Sequence, residues 1–544
     1  MAGFERERRR KQSERIEPPV IERQTPIPKV EKHEKPLTLT PRRKFSGVGK
    51  ALARMFDAGK QDRLIGSWGT MPLTADDVVR RNQRILVARS REQAANNDYA
   101  KKFLQMTRQN IVGPRGVQLQ AQSRDPDMTL DKLANDAIEA AWREWSKPGN
   151  CDVTGKQSLR AIQSGAATSA ARDGEFMIRI ITGRDAGPWG VSLQVLDPQR
   201  CRPDYDQVKL SNGRFIRHGI EFNRFGRPLA YHFSTTKAED SDDAYDYGGQ
   251  AYVRVPADQI VHGFLPEMTG QKRGLPWTAT ALWRMQMLAG FEKAALVNAR
   301  VSAAKGGFFE WQEGYGPEPD EDDEDLYMEA EPGAFQELPA GVKFNPWNPQ
   351  YPSNEFSPFQ KAMLRGIASG LGVTYVNLAN DLEGVNFSSI RQGTLDEREH
   401  WKELQEWLIE TLMQPVFDAW LPRALLAGRI VVETQRGSRP LRPERIEKYR
   451  RIEWQPRRWD WIDPNADVKA AVASKNNLLA SPGQIIRDRG RDPNAVWQEI
   501  GRDIQAMRDA GIEDKFIEIA LGMGVANKLE PDGAQSNPEN SPEG

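Results

Sequence analysis

The sequence predicts an α+β fold, on three observations. Residues 130–146 carry Leu133, Ala134, Ala137, Ile138, Ala141, Trp142 and Trp145 at three- and four-residue steps, one apolar helical stripe. Two β-rich runs follow, Glu175–Ile181 and Val191–Leu196. Beyond residue 278 the helical period returns over long stretches.

Taken in order, residues 76–112 read as helix, with Val79, Ile85, Leu86, Tyr99, Phe103, Leu104 and Met106 as its apolar positions. Helices are predicted at 130–146 and 157–173. Phe215–Phe222 and Leu229–Phe233 flank the turn Asn223–Pro228, a hairpin signal. Tyr252–Val255 and Gln259–Phe264 complete the strand-rich block. Residues 278–304 form a helix of about 40 Å, with Leu282, Met285, Leu288, Phe291, Ala295, Ala299 and Val301 on its apolar face. Arg284, Glu292, Lys293 and Arg300 rule out a bilayer span for it.

Gly306-Gly307 breaks this helix, and Phe308–Trp311 has strand character. Six consecutive acids follow: Asp320, Glu321, Asp322, Asp323, Glu324 and Asp325. The run lacks the Gly and terminal Glu of a calcium loop, so it is either a solvated loop or a dock for a basic partner. Residues 356–371 are helical again, with Phe359, Met363, Leu364, Ile367 and Leu371 as the stripe. Lys361 and Arg365 lie one turn apart on one side, facing either a channel or acids of a neighbouring subunit. Gly366, Gly370 and Gly372 permit close helix approach or a bend. Ser389 with Gln392 fits a capping box that starts a helix of roughly thirty residues. Residues 419–461 return to strand pattern. Asp463-Pro464, Ser481-Pro482 and Asp492-Pro493 each start a helix, near 464–480, 482–489 and 493–510, with a shorter one at 514–522.

Composition narrows the function. Lys plus Arg equals Asp plus Glu at 76 each, which argues against tight DNA binding by the whole surface but not against a channel through which DNA slides. Cys151 and Cys201 do not make a disulfide framework, and a reducing cytoplasm is expected. The basic Arg8–Lys11 segment is not followed by the apolar stretch of a secretory signal. Residues 1–60 hold 16 Lys and Arg against 8 acids, and residues 1–45 are expected to be disordered, as is the end of the chain from 526. The 15 Trp are expected mostly in the core, with some as interface anchors. No phosphate-binding loop, nucleophile elbow or zinc motif is present. The histidines His33, His218, His232, His262 and His400 lack ligand spacing. His218 and His232 fall on the two hairpin strands, as half-buried strand residues rather than a metal pair.

Three segments carry a resemblance. Gln259-Ile-Val-His-Gly-Phe264 runs into the basic turn Gln271-Lys-Arg-Gly-Leu-Pro-Trp277 and then the long helix. Gly384-Val-Asn-Phe-Ser-Ser389 is followed by Glu397 and Arg398. The third runs from Trp461-Ile-Asp-Pro464 to Lys469. Their order and content resemble the lambda family of phage portal proteins over about residues 70–525. The resemblance implies a portal fold: an α/β wing at 46–277, stem helices at 278–305 and 353–376, and a small clip insertion at 306–352. It further implies a tunnel loop at 377–388, a long helix returning to the wing at 389–462, and a helical crown at 463–525. It implies a ring of about twelve subunits with closed symmetry, no cofactor, and no enzymatic activity.

The implied partners are double-stranded DNA in the channel, the terminase large subunit, a head-completion or adaptor protein, and the major capsid and scaffold proteins, with no membrane. The ring would sit at the portal vertex of the virion after assembly in the host cytoplasm. Asn380, Asp381, Glu383 and Asn386 would face DNA, Lys361 and Arg365 would line the channel, and the acids 320–325 would dock a partner. The alternatives are a metal-dependent DNA-processing enzyme built on scattered carboxylates, and a monomeric head-tail adaptor.

Overall fold

A computed structural model describes residues 71–234, 252–303, 307–312, 340–346, 356–384, 386–435, 437–459 and 464–520. The predicted basic tail, the loop at 239–246, the acids 320–325 and the C-terminal tail lie outside the described residues.

The first helix, α1 (Ala75–Asn96), is capped by Thr74, whose hydroxyl accepts from the Asp77 amide. The single helix expected over 76–112 is in fact broken at Asn97. The Asn97 side chain accepts from the Tyr99 and Ala100 amides and so caps a second helix, α2 (Asp98–Thr107). An Asn that can hydrogen-bond the backbone locally competes with helix continuation. A π turn, Arg108–Val112, ends α2. Strand β1 (Gln118–Ala121) follows, then α3 (Lys132–Trp145) and α4 (Leu159–Asp173), both close to their predicted spans.

Two antiparallel sheets come next. The first has order β3–β2–β8, from β2 (Glu175–Thr182), β3 (Val191–Leu196) and β8 (Ile260–Phe264). The second is a meander of β4 (Phe215–Arg217), β5 (Ile220–Phe222), β6 (Pro228–Ser234) and β7 (Tyr252–Pro256). Because side chains alternate along a strand, β2 serves two cores. Phe176, Ile178 and Ile180 face the helices, and Met177 joins Leu196, Ile220, Phe222, Tyr231 and Phe233 between the sheets. That is why β2 is apolar at successive positions on both sides of Arg179, Phe176–Ile178 and Ile180–Ile181.

Two expectations are corrected here. Residues 215–222 form two strands and not one. His218 sits in the turn between them at φ 54°, fully buried, and not on a strand. Its Nδ1 lies 2.9 Å from the Pro203 carbonyl, while His232 Nε2 lies 3.6 Å from Glu221, so each imidazole has its own partner. Among the described residues no group of three or more His, Cys, Asp or Glu is placed to hold a metal.

The turn 271–277 carries the best-buried charge pair. Arg273 and Glu175 are both fully buried. Arg273 Nε donates to both Glu175 oxygens at 2.9 Å, Nη2 to Glu175 at 2.5 Å and to the Pro198 carbonyl at 3.0 Å. Nη1 donates to the Cys201 and His218 carbonyls at 2.6 and 2.7 Å. Glu175 also accepts from Gln83 of α1 and the Gly274 amide, and pairs with His262 of β8. Burial alone would raise the Glu175 carboxyl, but the Arg273 charge and these hydrogen bonds hold it well below the usual carboxylate range. Gly274 is needed because a Cβ there would stand 2.0 Å from the Gly174 carbonyl oxygen.

Helix α5 (Leu282–Ala303) leaves this turn. It is followed by a hairpin of β9 (Gly307–Trp311) and β10 (Val342–Pro346), of which only β9 was expected. Helix α6 (Phe356–Leu371) returns antiparallel to α5. Phe291 stacks on Phe356 at 5.4 Å, and Glu292 accepts from Gln360 at 2.7 Å. Gly370 lies against Thr280 and Ala281, so it permits close approach, whereas Gly372, at φ +68°, makes the bend.

After the short helix α7 (Tyr375–Ala379) comes α8 (Phe387–Leu408), a π turn at Ile409–Met413, and α9 (Gln414–Leu426). The helix starts earlier than expected. Asn386, and not Ser389, is the cap, accepting from the Ser389 amide at 2.8 Å. It also runs on to Leu426, through residues expected to be strand. Trp142, Trp145, Trp189, Phe417, Trp420 and Trp454 form one aromatic cluster where α9 meets α3, with Trp142 and Trp420 centroids 5.0 Å apart.

A hairpin of β11 (Val431–Thr434) and β12 (Gly437–Pro440) follows, and β13 (Ile452–Gln455) pairs antiparallel with β1. The end of the chain is helical: α10 (Pro464–Asn476), α11 (Pro482–Asp488), α12 (Pro493–Asp509) and α13 (Asp514–Ala520). Ser481 and Asp492 cap α11 and α12 as predicted. No helix among the described residues is long and apolar enough to cross a membrane.

These buried charges make two effects measurable. Arg273→Leu leaves the buried Glu175 carboxylate without its guanidinium and should lower unfolding free energy by about 3–5 kcal/mol in urea titrations. A loss under about 1 kcal/mol would mean the pair is not a constraint. The second concerns Glu139 of α3, which accepts from the Ala121 amide near Asp492. Burial, with Asp492 and Asp136 adding and Arg143 opposing, pushes it up to about 7 from 4.5. The folded state therefore holds this proton more tightly, and stability falls as pH rises between those values. Glu139→Gln should flatten that slope and add on the order of 1–3 kcal/mol at pH 8. Equal urea midpoints for variant and wild type at pH 8 would refute it.

Candidate functional site

The loop after α7 gathers most of the singled-out residues. Helix α7 ends at Asn380, which adopts the left-handed conformation (φ 53°, ψ 32°). Asn tolerates that region better than most residues. The chain then turns through Asp381 and Glu383 to the Asn386 cap, so the loop proper is shorter than 377–388.

The structure brings Lys361, Asp381 and Glu383 together. Lys361 Nζ of α6 lies 2.9 Å from Glu383 and 3.2 Å from Asp381. The Tyr375 hydroxyl donates to Asp381 at 2.5 Å, and the Glu383 amide donates to the same carboxylate at 3.0 Å. These two bonds, with Lys361, lower the Asp381 carboxyl to about 2. Lys361 is raised in turn, by Glu383 and then Asp381. Arg365, one turn along α6, stands over the Tyr375 ring at 5.5 Å. Both of these acids belong to Lys361's own chain.

A second layer fixes the loop from α8. The Glu397 carboxylate is buried. Its Oε2 accepts from the Thr374 amide and hydroxyl and from Asn377 Nδ2, at 3.1, 2.6 and 2.8 Å, and its Oε1 accepts from Trp401 Nε1. Sequence reasoning placed Glu397 in a recognisable segment without a role, and it missed Tyr375. A hydroxyl six residues before Asp381 gave no signal by spacing. Asn386 is occupied as a helix cap. Asp320, Glu321, Asp322, Asp323, Glu324 and Asp325 lie outside the described residues.

Chemically the loop is a polar, net acidic surface with one cation folded onto it. It offers no nucleophile–base pair. Such a surface contacts phosphate weakly, because phosphate affinity comes from unpaired Lys and Arg.

Helix α5 contributes a second feature. Of its predicted face, Leu282, Met285, Leu288 and Ala295 are buried, whereas Phe291 is exposed. Yet Trp283, Met287, Leu296 and Val297 are 72, 54, 63 and 50% exposed. Trp283, Met287 and Val297 share one side of the helix, turned away from the buried side, whereas Leu296 falls on the Met285 side nearer the helix end. Among the described residues that first side is exposed.

Lys361→Met should speed hydrogen exchange of the Glu383 amide several-fold while leaving global stability nearly unchanged, since Lys361 and Glu383 meet at the surface. Unchanged exchange would show that Lys361 does not hold the loop.

Comparison with known proteins gives a consistent picture. The family profile described as phage portal protein, lambda family, matches residues 61–405. A probable portal protein of Halomonas phage phiHAP-1 is 34% identical over 489 residues, covering 88% of this chain and 92% of the relative. Portal protein B of Escherichia phage lambda is 22% identical, covering 78% of this chain and 84% of the relative. Among solved structures, the virion of a native gene transfer agent particle contains a chain matched at TM-score 0.40 and 14% identity, over 79% of this chain and 98% of that one.

Proposed function

Because this chain belongs to the lambda family of phage portal proteins, we propose that it is the subunit of a closed ring of about twelve copies that forms the DNA channel at one capsid vertex. The observation that carries the ring is the uncovered apolar face of α5. Trp283, Met287 and Val297 bury against a neighbouring copy, and cyclic symmetry covers every such face without leaving an end.

In this reading α5 and α6 are the stem, the β9–β10 hairpin is the root of the clip, and the four C-terminal helices are the crown. The loop at Asn380–Asn386 is the tunnel loop. Its Asp381 and Glu383 turn negative charge toward the phosphates, and Lys361 takes up part of that charge, so DNA passes without being held. Symmetry repeats the arrangement around the channel and evens the field along the duplex. The acids at 320–325 serve as the docking surface for the terminase large subunit, which supplies ATP hydrolysis. A head-completion protein later takes that end, and the ring itself acts passively in packaging and ejection.

The test is assembly. Purified wild type should scatter light as a particle about twelve times the 61.5 kDa chain and appear by electron microscopy as a ring with a central hole. Trp283→Glu with Met287→Glu should keep a cooperative thermal melt but run as a 61.5 kDa monomer. A wild type that stays monomeric, or a variant that assembles as well as wild type, overturns the reading.

A further inference from the structure

Away from the loop and from α5, the largest cavity is a cleft of about 1130 Å³ beside α4. One wall is a stripe of small residues on that helix, Ala161, Ser164, Gly165 and Thr168, with Arg160 and Arg172 at its ends. Twelve residues separate those arginines, so the groove runs about 18 Å. Arg91, Arg108 and Arg457 also line it, against Asp173 and Asp197.

The two carboxylates are already matched. Arg91 lies 2.8 Å from each, and Arg172 lies 2.7 Å from Asp173. The cleft thus has five arginines for two acids, and Arg108 and Arg160 are exposed at its rim.

Beyond the Arg91 side chain, which borders both, is a smaller recess of about 230 Å³. Val87, Ala88 and Pro203 give it apolar walls. Gln199 lines it too. Only 7% of Gln199 is exposed, and its amide nitrogen has no hydrogen-bond partner. A buried donor without an acceptor is costly unless something supplies one.

We propose that this double cleft binds an acidic polypeptide segment that carries one apolar anchor side chain. The carboxylates meet the arginine rim, the small-residue stripe lets a backbone lie close to α4, and the anchor fills the recess. A duplex fits less well. Its phosphates lie on a broad convex surface, and no part of its backbone enters an apolar recess of that size. The site lies outside the loop and stem surfaces assigned above and does not depend on them.

The test is fluorescence anisotropy on the full chain with a labelled decapeptide of Glu and Ala bearing one central Leu. A Leu-free version and a short DNA duplex serve as comparison probes. Saturable binding is expected, weakening with salt and falling at least about tenfold in Arg108→Glu with Arg160→Glu. Ala88→Trp, which fills the recess from an exposed position, should weaken only the Leu-bearing peptide. Absence of saturable binding, or binding indifferent to the arginine reversals, overturns the proposal. So does a duplex that binds more tightly than the peptide with the same arginine dependence. Equal loss for both peptides in Ala88→Trp overturns the anchor.

Discussion

The buried ion pair between Glu175 and Arg273 is the constraint on which the rest of the fold depends. Neither group can leave water alone. Each is therefore surrounded by partners drawn from distant parts of the chain: Gln83 from the first helix, His262 from the next strand of the sheet, and three carbonyls from the segment between residues 198 and 218. All five guanidinium protons have acceptors. The pair positions the turn from which α5 departs, so the direction of the longest exposed apolar helix is set by a polar contact. Gly174 and Gly274 enter this arrangement because the two backbones touch, leaving no room for a side chain on either.

A division of labour results. Around the ion pair, helices α2–α4, the first sheet and the long helix α8–α9 share one continuous core, anchored by the tryptophan cluster. That body is satisfied by its own contacts. Helix α5 is different, since Trp283, Met287 and Val297 on its second side are exposed among the described residues. The body therefore presents an apolar surface at a fixed angle. The acidic loop sits at the opposite extreme of the hydrophobic scale, tied down by Lys361, Tyr375 and Glu397 so that its charge has a defined place.

Much of this was legible in the sequence where local chemistry decides. Helical stripes, the Asn223–Pro228 hairpin turn and the Ser481 and Asp492 caps depend on neighbours a few residues away, and the structure shows them close to where they were expected. Reading failed where tertiary contacts decide. Arg273 was read only as part of a basic turn, because nothing local reveals a carboxylate 98 residues upstream. Asn97 was lost inside a convincing apolar period. The strand at Val342–Pro346 lies in a Gly- and Pro-rich stretch and exists by pairing with β9. In the candidate site, the spacing of Lys361 and Arg365 put them one turn apart on one side of the helix. It could not tell which acids would meet that face, since the answer depends on how the chain bends at Gly372.

The π turn at Ile409–Met413 bears on how the chain tolerates changes in length. One residue added to a regular helix swings everything after it by about 100°, which here would carry Phe417 and Trp420 out of the aromatic cluster. A wide turn absorbs the surplus residue and leaves the later helix in phase. The same turn gives room to Pro415, whose ring would otherwise press on the carbonyl four residues earlier. This segment is therefore a place where a one-residue deletion, joined with replacement of Pro415 by Ala, would shorten the protein without reorienting α9. Relatives of different length can accommodate their difference at such a point while keeping the same interior.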